Sequence, residues 1–475
     1  MGLFLLVGLP LLITVIVFIL KQDKLIKLLC FLTILIHLLV TLSFWRGFQY
    51  VSFNRFLGLD AISQIVLTII SILFFVVSIY QIGYLSEKKG QDNWIFIGCL
   101  LSLLAAMTLV TMCRHLGLLW IAVASTTLLS APLINYFKTP QSIEATWKYL
   151  LISSFGIALG LLGTLFLAIS AISLKTLFLD DILNNAALLS PSWLKLSVIF
   201  LLVGYGTKMG LAPMHTWKPD TYGEAPAPIG ALMSGGLTGC VFLAVFRVAQ
   251  ICFHAHLQEF VSPIFILMGI LSLAIAAIFI TKQKDFNRML GYSSVEHMGI
   301  LVLGLGLGGG AIWASLFHAI NNAFAKGLLF LVSGNIYQYY RMRKVANIQG
   351  VIHRFPLTGT FLVLGLFVIS GFPPFGMFYS ELLILKQAIA AQHYLVIWFY
   401  VIFLAIIFFG YSKIILEMAF GKPEDNNLPQ EIKKENIFMI MPLIILAMVL
   451  VFTGIFIPDS LYSLIDKGTA LLGVN

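Results

Sequence analysis

Apolar stretches of about the twenty residues needed to cross a ~30 Å hydrocarbon core follow one another along nearly the whole sequence, separated by short polar links. Hydrocarbon offers the backbone no water. Each stretch is therefore restricted to a helix that bonds its own N–H and C=O groups. Segments of alternating strand type, as in an outer-membrane barrel, are missing, and the links leave no room for a soluble domain. The reading is an all-α polytopic membrane protein of about fourteen spans. They lie near residues 2–20, 26–45, 61–85, 94–112, 115–136, 147–173, 194–217, 226–250, 261–281, 292–308, 311–337, 358–390, 394–419 and 437–457.

Two of these spans are interrupted in the same way. The seventh contains Pro213, inside YGTKMGLAPMHTWKPDTYGEAPAP (205–228), and the twelfth contains Pro373 and Pro374, inside GFPPFG (371–376). Proline lacks an N–H and clashes with the carbonyl four residues back, so each break frees backbone groups at membrane depth. Such backbone survives only where protein buries it or a watered cavity meets it. The breaks lie about five spans apart, and five is odd, so corresponding helices would cross in opposite directions. Interrupted spans at matching positions in two halves point to an inverted repeat with a midplane ion site. The expected organisation is three N-terminal helices over 1–92, a five-helix repeat over 93–252, an inverted second repeat over 260–420, and a last helix with a short tail over 421–475.

Only 10% of the residues are charged, so each charge within a span is conspicuous. With the N-terminus outside, the odd-numbered loops hold most of the 29 Lys and Arg, among them Lys21, Lys24, Lys27, Lys88, Lys89, Lys282, Lys284, Arg288, Arg341, Arg343, Lys344 and Arg354. By the positive-inside rule both termini lie outside. The net charge of +9 then reflects topology, and no nucleic-acid partner is expected. The first span has no charged flank or cleavage site of the signal-peptide kind and reads as a retained helix. Five cysteines lack CxxC spacing, so no metal site is expected. The GxGxxG match over 304–309 joins two spans and follows no strand, which excludes the nucleotide reading. No cofactor is expected either. Gly156 and Gly160 form a small-xxx-small face for helix packing, and 421–435, with Pro423, Glu424, Asp425, Pro429 and Lys433, reads as an exposed polar link.

The buried polar residues carry the functional reading. Lys208 follows a long apolar run and sits too deep to reach the headgroups easily. A buried lysine can give up and regain a proton near neutrality, or it can hold an ion pair. His318, Asn322 and Lys326 recur at four-residue steps and share one helix face. They form either a hydrated proton wire or a set of interhelical hydrogen bonds, and the high cost of a lysine as glue favours the wire. Glu381, just past the second break, would end such a wire or sit at the N-terminus of the restarting helix. Glu296 and His297 open the tenth span beside the basic loop 282–288. They would form a cytoplasmic proton entrance or a contact to a soluble partner. His215 is deep enough to relay, whereas Lys218, Asp220 and Glu224 are expected near the surface.

The segments TKMGLAPMHTWKPD, KDFNRMLGYSSVEHMGI, HAINNAFAKGLLFLVSG and SGFPPFGMFYSELLIL resemble the antiporter-like subunits of respiratory complex I and related assemblies. SSVEHMG, SIEATWKYLLISSFGIALGLLG, LGLLWIAV and TTLLSAPL are most similar to the hydrogenase-4 component F branch of the group 4 hydrogenases. The resemblance covers roughly residues 60–420. It implies fourteen helices with two inverted five-helix repeats and a central line of charged residues that carries protons. On that basis Lys208 is the central lysine of the first half, Lys326 the lysine linking the halves, His318 a relay and Glu381 the outlet.

Two family positions depart from the pattern. The fifth-span glutamate is replaced by Ala124, and the polar residue of the eighth span by Gly239. Lys208 therefore lacks the acid expected to hold it charged, and the first half-channel is expected to be altered or idle. The resemblance implies a proton-translocating subunit working with other membrane subunits and soluble redox or catalytic subunits, in a bacterial or archaeal cytoplasmic membrane. Covalent chemistry, if any, belongs to those partners. The alternatives are an ion-flux subunit of a cation/proton antiporter or inorganic-carbon uptake complex, and a structural membrane-arm subunit that has lost pumping.

Overall fold

A computed structural model describes residues 2–45, 51–52, 54–86, 93–422 and 434–473. Most of the polar link expected over 421–435 lies outside the described residues, as do Lys88 and Lys89. Helices α1 (Gly2–Leu20) and α2 (Asp23–Ser43) lead to a two-residue antiparallel pair, β1 (Val51–Ser52) with β2 (Gly58–Leu59). Then come α3 (Ala61–Ser86), α4 (Asn93–Met112), α5 (Leu116–Ile134), α6 (Pro140–Ser170) and the short α7 (Leu179–Asn184). The first interrupted segment is α8 (Pro191–Met209) and α9 (Trp217–Glu224). It is followed by α10 (Ala227–Ala231), a π-helical turn at Leu232–Leu237, and α11 (Thr238–His254). Helices α12 (Gln258–Ile280), α13 (Phe286–Leu307) and α14 (Gly310–Tyr340) lead through the short α15 (Val351–Arg354) to the second interrupted segment, α16 (Pro356–Ile369) and α17 (Gly376–Ala390). The described chain ends with α18 (Tyr394–Phe420), α19 (Ile437–Ile455) and α20 (Asp459–Ala470).

Twelve of the described helices are long and apolar enough to cross a membrane. With the two interrupted segments the protein is the expected polytopic all-α membrane protein of about fourteen spans. Its centre is α10–α11, α13 and α14, whose apolar windows are wholly buried. Helices α1, α2, α6 and α18 form part of the rim and turn large apolar side chains such as Phe4, Leu39, Phe155 and Phe409 outward, as a lipid-facing surface should. Close packing is visible where α6 meets α8. A Cβ added at Gly156 would strike Thr207, and one at Gly163 would strike Leu201, so the small-residue face of α6 sets that approach.

Boundaries moved where caps rather than hydropathy decide. The tenth span begins not at 292 but at Phe286, because the Asp285 carboxylate accepts from the Arg288 N–H at 3.0 Å and caps α13. Likewise α6 starts at Pro140, behind a reciprocal Thr139–Ser142 capping box. At one end of the bundle an ionic node centred on the buried Asp60 ties four segments together. Asp60 accepts from Arg114 at 2.8 Å and from Arg247 at 2.6 Å, and Arg114 reaches on to Asp180. Burial alone would raise the Asp60 carboxyl, but the two guanidiniums hold it well below the usual carboxylate range.

Candidate functional site

Helix α8 ends at Gly210, whose φ of +75° is a left-handed conformation that glycine adopts without strain. The chain then runs irregularly to Trp217, through a cis Ala212–Pro213 bond. The freed groups find partners: the Trp217 indole donates to the Thr207 carbonyl at 2.8 Å, and the Ala212 N–H donates to Ser272 Oγ at 3.0 Å. Lys208, in the last turn of α8, is fully buried. Its Nζ donates to Thr127 Oγ1 at 2.5 Å and to the Tyr149 hydroxyl at 2.8 Å, and Tyr149 is linked to Ser130 at 2.7 Å. Among the described residues it makes no salt bridge. Ala124 lies one turn from Thr127 on α5, where an acid would have faced this lysine.

A second, longer polar line lies between α13, α14, α17 and α18. Lys326 Nζ donates to Ser293 Oγ, and the Tyr411 hydroxyl of α18 bonds both Ser293 and the Glu296 carboxylate. With the Ser293 proton pointing to Tyr411 and the Tyr411 proton to Glu296, every link runs donor to acceptor. Glu296 Oε2 is 3.8 Å from His297 Nε2, a ring nitrogen with no hydrogen-bond partner of its own. His297 Nδ1 meets His318 Nε2 at 3.1 Å, and His318 Nδ1 meets Ser380 Oγ at 2.9 Å. All of these side chains except Tyr411 and Ser380 sit on the buried central helices α13 and α14.

Glu381 closes the line. The second break contains Gly371 at φ +63° and a cis Pro373–Pro374 bond. A Cβ added at Gly371 would strike the Glu381 carboxyl. The bare α-carbon thus lets that carboxyl fold back over the break. Single donor atoms of His297, His318 and Glu381 all lie within 4.8 Å of one another. Two imidazoles and a carboxylate so placed could share a metal ion or pass a proton. No cysteine spacing marks them, because they come from three separate helices.

Several sequence expectations are corrected here. Glu296 and His297 do not open a span: they lie ten and eleven residues into α13, roughly 15 Å from its start, 2% and 0% exposed. They belong inside the line rather than at its mouth. Lys218, expected near the surface, is 0% exposed, and its Nζ donates to Ser294 Oγ at 2.9 Å. Asp220 and Glu224 do lie at an open end. There Asp220 bonds Lys148 at 2.9 Å and Arg288 at 2.8 Å, Glu224 bonds Arg343 at 2.7 Å, and a cavity of about 130 Å³ is lined by them with Gln141 and Glu144. His215 is 7% exposed with an unpartnered Nδ1. Asn322 is buried on the helix face of His318 and Lys326, but its Oδ1 has no partner. Tyr149, Tyr411, Ser293 and Ser294 were missed. A hydroxyl inside an apolar helix carries no signal of its own, although Ser293 and Ser294 do precede Glu296 by three and two residues.

The NADH:quinone oxidoreductase/Mrp antiporter transmembrane family matches residues 113–408, a segment that contains both breaks and every residue of the two polar clusters except Tyr411. The chain belongs to this family. The antiporter-like chain is 33% identical over 356 residues to a hydrogenase-4 component F homolog of Methylacidiphilum infernorum, covering 74% of each. It is 29% identical over 452 residues to Na(+)/H(+) antiporter subunit A1 of Staphylococcus haemolyticus, covering 89% of this chain and 55% of that protein. Its fold matches a subunit of the membrane-bound sulfane sulfur reductase, an archaeal respiratory membrane complex, with a TM-score of 0.88 over 99% of this chain and 97% of that one, at 22% identity. The antiporter-like chain thus shares the fold of a subunit of that complex.

Proposed function

We propose that this chain is the proton-translocating subunit of a complex-I-like or hydrogenase-4-like membrane complex, and that soluble redox or catalytic subunits drive it. The observation that carries this reading is the line Lys326, Ser293, Tyr411, Glu296, His297, His318 and Glu381, buried except at the partly exposed Glu381. Hydrogen bonds join Lys326 to Glu296 and His297 to His318, and the gaps at Glu296–His297 and His318–Glu381 are under 5 Å, so a proton can move by short hops. At its two ends stand a lysine and a glutamate, Lys326 wholly buried and Glu381 partly so, and ionisable groups at such depth in a span mark an ion path. Lys208 and His215 form the corresponding first-half station, Asn322 lends polarity to the stripe, and the breaks at Pro213 and Pro373–Pro374 supply the moving parts. In this reading 93–252 and 260–420 are two inverted repeats, and both termini lie outside a bacterial or archaeal cytoplasmic membrane.

The test is proton flux in liposomes containing the complex purified through a tag on this chain, read with an internal pH dye and driven by the reaction of the co-purified subunits. Lys326→Ala and Glu381→Gln should each lower flux by about tenfold or more with the complex still assembled. Unchanged flux in both would overturn the reading.

A second reading, cation/proton antiport, rests on the alignment of Na(+)/H(+) antiporter subunit A1 with 89% of this chain. Flux that requires a sodium gradient and no electron donor would favour it. A third, a structural subunit without pumping, rests on Lys208 having only hydroxyl partners.

A further inference from the structure

We infer that Lys218 is the proton relay between the Lys208 cluster and the Lys326 line. This rests on the proton-translocation reading above and adds to it the residue that joins its two halves.

Lys218 begins in the half that holds Lys208 and ends in the half that holds Lys326. It is the second residue of α9, and its stem lies over Gly210, two residues past Lys208: a Cβ placed at Gly210 would run into Lys218 Cδ and Cε. The bare α-carbon at the first break is therefore what lets the side chain pass. The far end of that side chain reaches Ser294, where Nζ donates to Oγ at 2.9 Å and lies 3.4 Å from the backbone carbonyl. Ser293, the preceding residue of α13, receives Lys326. Two lysines from different helices are thus held by adjacent serines, one reaching back to the first break and the other opening the line to Glu296.

The surroundings fit a group that changes its protonation rather than a fixed charge. Among the described residues Lys218 has no salt bridge, and its polar partners are a hydroxyl and a carbonyl, with the Tyr222 ring 6.0 Å away. A permanent ammonium this deep would be expected to have a carboxylate partner. On α11, Gly239 offers nothing polar, and a Cβ there would meet only Val66 at 3.8 Å. In a transfer, the Lys208 ammonium gives its proton through water to the neutral Lys218 amine. Lys218 then passes one to the Lys326 amine and returns to neutral, so one proton moves and no charge accumulates.

The experiment compares Lys218→Met, Lys218→Arg, Ser294→Ala and Lys326→Ala in the whole complex, with flux read as above and assembly checked by gel filtration. A relay predicts that Met and Arg both lose about tenfold or more, since arginine keeps the charge but cannot release a proton. Ser294→Ala, which spares the lysine, should lose a smaller part. Wild-type flux in Lys218→Met overturns the inference, and so does full rescue by Lys218→Arg, which would mark a fixed charge. If the Lys218 variants fail to assemble, wild-type flux in Ser294→Ala overturns it. Unchanged flux in Lys326→Ala sinks the translocation reading itself, separately from the role of Lys218.

Discussion

His297 and His318 face each other across α13 and α14, Nδ1 to Nε2 at 3.1 Å. Only one of the two nitrogens can carry the proton between them, so each transfer through this pair must flip the tautomer of both rings. His318 is anchored by Ser380, whereas His297 Nε2 is unpartnered beside Glu296. In the proposed path the pair would act as a gate of two rings with one free end. His318→Leu removes the anchored ring while keeping an apolar side chain in place. Flux in the reconstituted complex should fall by about a hundredfold while the yield of assembled complex stays near wild type. Flux within twofold of wild type would remove the histidines from the path.

Tyr411→Phe tests the link ahead of that gate. The hydroxyl joins Ser293 to Glu296, and its removal leaves Glu296 without its donor in a buried site. The expected cost to stability is about 1–3 kcal/mol, seen as a lower midpoint in thermal unfolding of the detergent-solubilised complex. Because the ring remains, packing against α13 survives. Flux should drop far more than stability does.

Tyr411 also shows where sequence reading ends. The breaks, the polar face of α14 and the count of spans were legible because proline, charge and long apolar runs are rare or periodic signals. Tyr411 sits in a 27-residue apolar helix, and nothing local separates it from tyrosines that anchor at a membrane surface. Lys218 was misread for a related reason. It follows Trp217, a residue type common at membrane interfaces, but that indole is turned inward to cap the Thr207 carbonyl. Glu296 was placed too shallow because hydropathy begins at Tyr292, while the Asp285 cap starts the helix six residues earlier. Depth is a tertiary property, and caps and indole direction decide it here.

Gly371→Ala probes the second break. Alanine at φ +63° costs about 1–2 kcal/mol, and its methyl would displace the Glu381 carboxyl from the histidine pair. The expected result is a modest loss of thermal stability and a flux as low as that of Glu381→Gln. Stability loss with normal flux would mean that Glu381 acts from another position.

The Asp60 node predicts a pH signature unrelated to transport. The carboxyl is held below its unfolded value of about 3.9, so its stabilising contribution is fully present above that value and is lost as pH falls through the lower folded one. Asp60→Asn leaves Arg114 and Arg247 facing a neutral group and should destabilise the protein by about 3–5 kcal/mol. The gap between wild type and variant in thermal unfolding should hold steady from about pH 8 to about pH 4 and narrow only below that. A gap that already narrows near pH 6 would show that the arginines do not hold the carboxyl low.

Ala124→Glu addresses the first half directly. Position 124 lies one turn before Thr127, the residue that accepts from Lys208 at 2.5 Å, so a glutamate there would face the lysine across α5 and α8. A carboxylate within reach favours the ammonium form and converts a hydroxyl-bound lysine into an ion pair. If the first half is a working station that depends on an easily neutralised Lys208, the added acid should hold its proton and lower flux by about tenfold. If the first half is idle for want of that acid, the same change should raise the protons moved per turnover. A structural subunit with no pumping would show neither, and a stoichiometry measurement on the assembled complex separates the three.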